Sequence, residues 1–552
     1  MKKIKLVTIV FALISLTGCG KFLDVQKEGE LSTENLLTAD ENAIALINPL
    51  LDGMGSESMF GQDFHWEQSC ASTLVIVRAG DGGQYINQLA SLNFDGDCPS
   101  LTTAFRRIYE RIAGANFAVQ QFLAKKESGE TLSAIETRSL GEAYFLRAYW
   151  HLLAAYRYGC KEQGVPFCRY EDYADGYDYS IPPQLTSVLD NFKMIISDLE
   201  EAETYLPRME EYAAGDLGRA HKASAKGLMA KVYAYMATWD KSQWENVITT
   251  VNELESKYNR DLTPTFAELF TAEPAEYWNN ECLWSIPSTG GTKGNGCMFA
   301  GVVMKKVDGY GWREMKTSND LYEEMLKDGE GNDRLAKSIL VHGEEYTYNG
   351  GQRIMIDDAS KDETTGFIIK KWMACFEPAG FIANGYANPN TDYMTTNCNY
   401  HILRFADCLL LRAEAYLNTG RDAEAMKDIN RVRTRSNLEP LTAVSFADLY
   451  HERRCELAFE GCDWAYDLKR WAVSGESSIK ALAIKELEAY PTVRRYENDT
   501  DPESNWTIEE FRLYTTSFGP KKWEDYKIVF PYPSIQITES GGTLKQNPGY
   551  SS

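Results

Sequence analysis

The densest chemistry in the chain lies in residues 452–470. There Glu452, Glu456, Glu460 and Asp467 alternate with Arg453, Arg454, Lys469 and Arg470. Glu456 and Glu460 are four apart, so a helix places them on one face. Two carboxylates at a fixed separation are what a glycoside hydrolase needs. The same spacing also lets them pair with Arg453 and Arg454, and with Arg404, Arg431 or Arg433 from preceding helices. The block is therefore read as an interlocked ion-pair network, which fixes register more reliably than it adds stability. Elsewhere catalytic machinery is thin. His65, His151, His221, His342, His401 and His451 are scattered, with no HExxH or other metal-ligand spacing. There is no GxSxG elbow, phosphate-binding loop or Cys/His nucleophile arrangement. Among 80 acidic residues nothing selects one pair for a helical glycoside hydrolase. No catalytic residue, metal or cofactor is expected, and the chain is read as a binder rather than an enzyme.

Aromatic residues make up 12% of the chain, with 32 Tyr and 12 Trp, more than a core alone requires. Trp150, Trp239, Trp244, Trp464 and Trp471 fall in helical patterns or their tight links and are assigned to the core, as is Trp284 in its apolar run. Trp66, Trp278, Trp312 and Trp372 remain. Trp66 lies upstream of Asp81-Gly-Gly-Gln84-Tyr85-Ile-Asn87, and Tyr310-Gly311-Trp312-Arg313 gathers two rings and a guanidinium around a glycine. Sugar rings stack apolar C–H faces on Trp or Tyr, while their hydroxyls need polar partners around the rim. Trp312, Tyr310 and Tyr85 are accordingly the expected stacking platforms, with Arg313, Asn87 and Asp81 as hydrogen-bonding partners and Trp66 beside them. The formal charge of −23 disfavours nucleic acid and other polyanions and suits an uncharged ligand.

The elements that carry these residues are mostly helical. Apolar and small residues recur at helical spacing over 137–158, 186–206, 221–238, 242–258, 405–418 and 423–435. Gly159, Pro207 and Gly420 stand at the expected ends. Helices joined by tight turns, with Gly or Ala at the crossings, are the unit of a tetratricopeptide-type repeat, which must stack on its neighbour to bury its apolar face. The expected fold is all-α: a tetratricopeptide-like helix-pair scaffold over about residues 100–260 and 400–475, with a loop-rich irregular module packed on one side. Loop-rich inserts are expected at about 55–100, 261–400 and 475–530, with short β-type runs at 281–286 and 367–371. Cys160 and Cys168 bracket a short loop and could pair in an oxidising compartment. Cys408, Cys455 and Cys462 read as small buried hydrophobes.

The chain opens with Lys2, Lys3 and Lys5, an apolar run from Leu6 to Leu16, and Leu16-Thr17-Gly18-Cys19. The run is too short to span a bilayer, which takes roughly 20 residues, and has the proportions of an export signal. Its end resembles the lipobox of bacterial lipoproteins, which implies that Cys19 becomes the lipidated first residue and the only membrane anchor. Removing residues 1–18 from 552 leaves 534, and the loss of three lysines takes the charge from −23 to −26.

Read in order, residues 19–552 resemble a single SusD/RagB-type domain, an outer-membrane lipoprotein of glycan-uptake systems in Bacteroidetes. The resemblance runs through Cys19-Gly-Lys-Phe22-Leu23-Asp24-Val25, Phe105-Arg-Arg-Ile-Tyr109 to Asn116, and Gly218-Arg219-Ala220 to Trp239. It continues in Arg404-Phe-Ala-Asp407 to Ala415, and most strongly in Glu452-Arg453-Arg454-Cys-Glu456-Leu-Ala-Phe459-Glu460-Gly461 to Trp471. Phe530-Pro531-Tyr-Pro533 and Gln546-Asn547-Pro548-Gly549-Tyr550 close the match. Two departures are Asp407, where the family usually has Glu, and Cys462-Asp463 after the Glu-Gly pair. The resemblance implies capture of oligosaccharides or polysaccharide at the cell surface and delivery to a SusC-like, TonB-dependent β-barrel. Ligand contacts would come from loops near Tyr85 and Trp312. Some relatives bind peptides, which makes a peptide the alternative ligand.

Overall fold

The computed structural model describes residues 37, 39–77, 83–172, 183–271, 276–288, 297–303, 314–348, 351–357, 364–372, 398–460 and 464–551. Its scaffold helices are α1 (Asp40–Leu51), α2 (Pro99–Glu127), α3 (Ala134–Tyr158), α4 (Val188–Tyr205), α5 (Lys222–Met236) and α6 (Trp244–Ser256). They continue as α7 (Phe405–Asn418), α8 (Asp422–Arg435), α9 (Phe446–Glu456), α10 (Trp464–Ala472) and α11 (Ser477–Glu488). Consecutive helices from α2 to α6 stack on one another; α6 then packs on α7, and α7 on α8 and α9. This is the expected all-α, tetratricopeptide-like arrangement.

Local chemistry explains the helix ends. Ser133 Oγ accepts from the Glu136 N–H (3.1 Å) and the Ser133 N–H donates to the Glu136 carboxylate (2.8 Å), a reciprocal cap that starts α3. Nearly every residue of α3 from Glu136 onward is buried, so its polar groups must find partners inside the protein. Arg147 does so by reaching Asp198 of α4 (2.6 Å), Glu171 (2.8 Å) and Asn116 of α2 (3.0 Å), which ties three helices through one guanidinium. Gly141 lets α3 meet the end of α4, since a Cβ there would lie 2.8 Å from the Leu206 backbone nitrogen. The C-terminal segment returns to the end of α3. Phe530 N–H donates to Arg157 O (2.7 Å), and Asn547 Nδ2 to Tyr158 O and Phe530 O (both 2.9 Å).

Strands among the described residues form antiparallel two-stranded pairs: β1 (Val75–Val77) with β3 (Met315–Thr317), and β2 (Cys282–Ile286) with β8 (Tyr400–Arg404). The others are β4 (Ile339–Val341) with β7 (Phe367–Ile369), β5 (Glu345–Tyr348) with β6 (Gly351–Ile354), and β9 (Thr492–Tyr496) with β10 (Trp506–Glu510). The runs read as β-type in the sequence become β2 and β7. The β2–β8 pair lies on α5, where Gly227 leaves room for Leu283 and Leu403.

The charged block forms a buried network that uses some of the partners expected from the sequence, Arg404 and Arg433 among them, and adds others. Glu456 accepts from Arg404 (2.7 Å) and Arg435, and Glu460 from Arg404 and Lys371 (both 2.5 Å). Arg404 and Arg435 also reach Glu281, beside β2 (2.8 and 2.7 Å). Burial would raise the Glu456 carboxyl, but Arg435, Arg404 and Arg334 outweigh it and hold it down at about 2. Arg453 turns instead to Asp407 and Asp467, Arg454 to Glu486, and Arg431 to Glu255 and Asp261. The Asp407 departure thus keeps a paired carboxylate.

Cys160 and Cys168 do not form a disulfide; both are buried thiols. A backbone bridge between Cys160 and Gln163 turns the loop locally, while the Cys168 N–H is held by His151 Nε2 (3.2 Å) and its carbonyl by Asn116 (2.8 Å). Cys408 and Cys455 are buried as expected, and Cys462 lies outside the described residues.

Candidate ligand-binding cleft

The end of α1, the loop entering α5, and the two ends of the β2–β8 pair converge on a cleft of about 480 Å³. Tyr277 and Trp278, just before β2, are half-buried on its wall. Gly218 seats the indole: its φ is +101°, and a Cβ there would stand 2.7 Å from the Trp278 ring and 2.9 Å from Pro287. Trp284 also lines the cleft and is fixed edge-on against Phe145 and Tyr149, with ring centroids 4.9 and 4.7 Å away.

Polar groups complete the lining. Arg219 is held by Glu142 (3.1 Å), Asp216 (3.0 Å) and Asn48 Oδ1 (3.3 Å). Burial pushes the Glu142 carboxyl up to about 7, and the guanidinium of Arg219 offsets only part of that. The Ser288 N–H donates to Asn399 Oδ1 (2.8 Å) and sets the amide plane. Ser288 Oγ and Asn399 Nδ2 then have no hydrogen-bond partner among the described residues, although the two side chains are only 4% and 2% exposed. Aromatic faces beside the accessible Asn48 amide and Arg219 guanidinium suit a neutral, polyhydroxylated ligand.

The residues expected from the sequence divide differently. Trp312, Tyr310, Arg313 and Asp81 lie outside the described residues. Tyr85 and Trp66 are corrected: at 2% and 3% exposure neither offers a ring face to a ligand. The Tyr85 hydroxyl donates to Glu67, which also accepts from Tyr466 (3.1 Å) and pairs with Arg157 (2.7 Å). Trp66 sits on a short helix, Asp63–Ser69, whose residues 64–67 are all buried. Asn87 is exposed and lines a second, polar hollow of about 590 Å³ with Gln84, Asn93 and Lys522, none of which lines the first. Trp372, set apart from the core in the sequence, is buried with Nε1 donating to Phe459 O (3.0 Å). Sequence reasoning passed over Tyr277, Arg219, Ser288 and Asn399 and ranked Trp278 low. The adjacent rings of Tyr277-Trp278, followed by Asn279-Asn280, were the available signal. Among the described residues, one group away from the cleft could hold a metal: Asp328, His451 and Cys455 offer ligand atoms within 4.8 Å of one another.

Known proteins place this geometry in context. A family model described as the SusD family matches residues 231–550, and another, described as starch-binding associating with outer membrane, matches residues 21–234. The two meet inside α5 rather than at a linker. A SusD-like protein of Bacteroides ovatus is 25% identical over 505 residues, covering 85% of this chain and 82% of the relative. Surface glycan-binding protein A from Bacteroides uniformis superposes with a TM-score of 0.67 at 21% identity, over 92% of this chain and 99% of that one. A chain solved with xylogluco-oligosaccharide gives a TM-score of 0.69 at 20% identity, over 92% and 99%. At such identities the structural likeness shows a shared fold.

Proposed function

The chain belongs to the SusD family, and from that premise we propose that it is a cell-surface glycan-binding protein. It captures oligosaccharides and hands them to a SusC-like, TonB-dependent β-barrel in the outer membrane. A lipid on Cys19 holds it there, and it binds its ligand without turning it over. The observation that carries this reading is the cleft, where the half-buried rings of Tyr277 and Trp278 stand beside the exposed Asn48 amide and the half-buried Arg219 guanidinium. Pyranose rings stack on the aromatic faces while ring hydroxyls meet the amide and guanidinium groups. The surface glycan-binding relative and the fold-mate solved with a xyloglucan fragment support a neutral sugar as the ligand. Tyr310, Trp312, Arg313, Asn87 and Asp81 are proposed as further contacts.

Isothermal titration of the purified chain with neutral oligosaccharides and with peptides tests the proposal. Saturable binding of one oligosaccharide class, with no new reducing ends, is the expected result. Binding of peptides alone would make the ligand a peptide, and release of reducing ends would make the protein a hydrolase.

A further inference from the structure

We propose that Asp328, His451 and Cys455 form a binding site for a divalent cation of the zinc class where α9 meets the helix Asn319–Leu326. His451 and Cys455 are one turn apart on α9. Glu324 and Asp328 are spaced alike on the facing helix and its exit, so two i, i+4 pairs point at each other. His451 Nδ1 lies 2.7 Å from Glu324 Oε1, the arrangement in which one ring N–H donates to an outer carboxylate and so fixes the tautomer. That leaves Nε2 3.0 Å from Asp328 Oδ2 and 4.0 Å from Cys455 Sγ. In a tetrahedral zinc site, bond lengths of about 2.0–2.3 Å set ligand atoms roughly 3.3–3.8 Å apart. The observed spread, within 4.8 Å, needs only small side-chain adjustments to close on an ion.

Ligand chemistry favours a borderline-soft metal, since imidazole, thiolate and carboxylate together suit zinc better than calcium or magnesium. Asp328 is braced by Arg334 (2.9 Å) and Arg433 (3.0 Å), and both guanidinium groups are themselves paired with Glu452. The groups facing the imidazole are thus Glu324, Asp328 and Cys455, with Arg334 and Arg433 behind the aspartate. His451 keeps 15% of its side chain exposed, which leaves an entry path and room for water as the fourth ligand.

Cobalt(II) and zinc titrations of the EDTA-stripped full chain test the site. Wild type should take up one equivalent of zinc in competition with a chromogenic chelator. Cobalt(II) should give the near-ultraviolet absorption of thiolate-to-cobalt charge transfer. Cys455→Ala and His451→Gln should abolish that absorption and weaken zinc binding at least tenfold. Glu324→Gln should keep the absorption and weaken binding about 10- to 100-fold, the range for an outer-sphere partner. Circular dichroism checks that each variant folds. Absence of cobalt absorption in wild type, or a folded Cys455→Ala that binds zinc like wild type, would overturn the proposal.

Discussion

Tyr85 and Trp278 read alike in the sequence, each an aromatic residue within two positions of asparagine or glutamine, yet one is buried and the other lines the cleft. The difference lies with Glu67, a carboxylate 18 residues from Tyr85 that consumes its hydroxyl, and with Gly218, sixty positions before Trp278, that leaves its ring a seat. Neither partner is visible in the local pattern, so the aromatic surplus was legible and its allocation was not. Trp278→Ala should weaken oligosaccharide binding by about 1–3 kcal/mol in isothermal titration, the scale of one used aromatic face, with little change in melting temperature. Tyr85→Phe should do the reverse, costing roughly 1–2 kcal/mol of stability through the lost hydrogen bond while leaving affinity alone. Glu142 gives a pH test. Its folded value of about 7 exceeds the ordinary 4.5, so between the two the folded chain holds a proton that the unfolded chain has released. Stability therefore falls as pH rises through that window, by on the order of 2–3 kcal/mol from this group. Glu142→Gln should remove that share of the decline when urea midpoints at about pH 5 and about pH 8 are compared with wild type.

At the level of elements, the helices were the most legible part. Apolar spacing, Gly141 at a crossing and the stops at Gly159, Pro207 and Gly420 carry their own physical reasons and mark α3, α4 and α7 to within a few residues. The charged block was half legible. Its helical spacing pointed to ion pairing, but Lys371 and Glu281 arrive from segments that only the folded chain brings near, and the β2–β8 pair beside them joins strands far apart in sequence. The Cys160–Cys168 pairing that the spacing allowed does not form, and a local backbone turn closes that loop instead. Glu456→Gln should show how much the network matters. It would leave Arg404 and Arg435 short of a buried countercharge, and loss of one partner from such a cluster typically costs about 3–5 kcal/mol, readable as a lower denaturant midpoint.

For the whole molecule, the all-α class followed from the helical periodicity, whereas the glycan role rested on the resemblance and on the spare aromatic rings. The membrane link belongs at this scale. No helix among the described residues is long and apolar enough to cross a membrane, and the proposed anchor is the lipid on Cys19. Cys19→Ala should move the protein from the membrane to the soluble fraction, folded and still able to bind sugar, when no barrel partner is expressed; retention in the membrane would place the anchor elsewhere. The return of Asn547 to the end of α3 has a kinetic consequence. Its bond to Tyr158 joins residues 389 positions apart. Closing so long a loop adds little to the equilibrium cost, since each doubling of length costs only about 0.6 kcal/mol. It slows the search, because rates fall as contacts become less local. A chain crossing a membrane from its N-terminus would build α2, α3 and α4 early and leave the end of α3 without its last partners until Asn547 emerged. The half-made protein would spend its passage with that seam open, and the segment around Asn547 would act as the latch that ends its exposure to proteases and to its own neighbours.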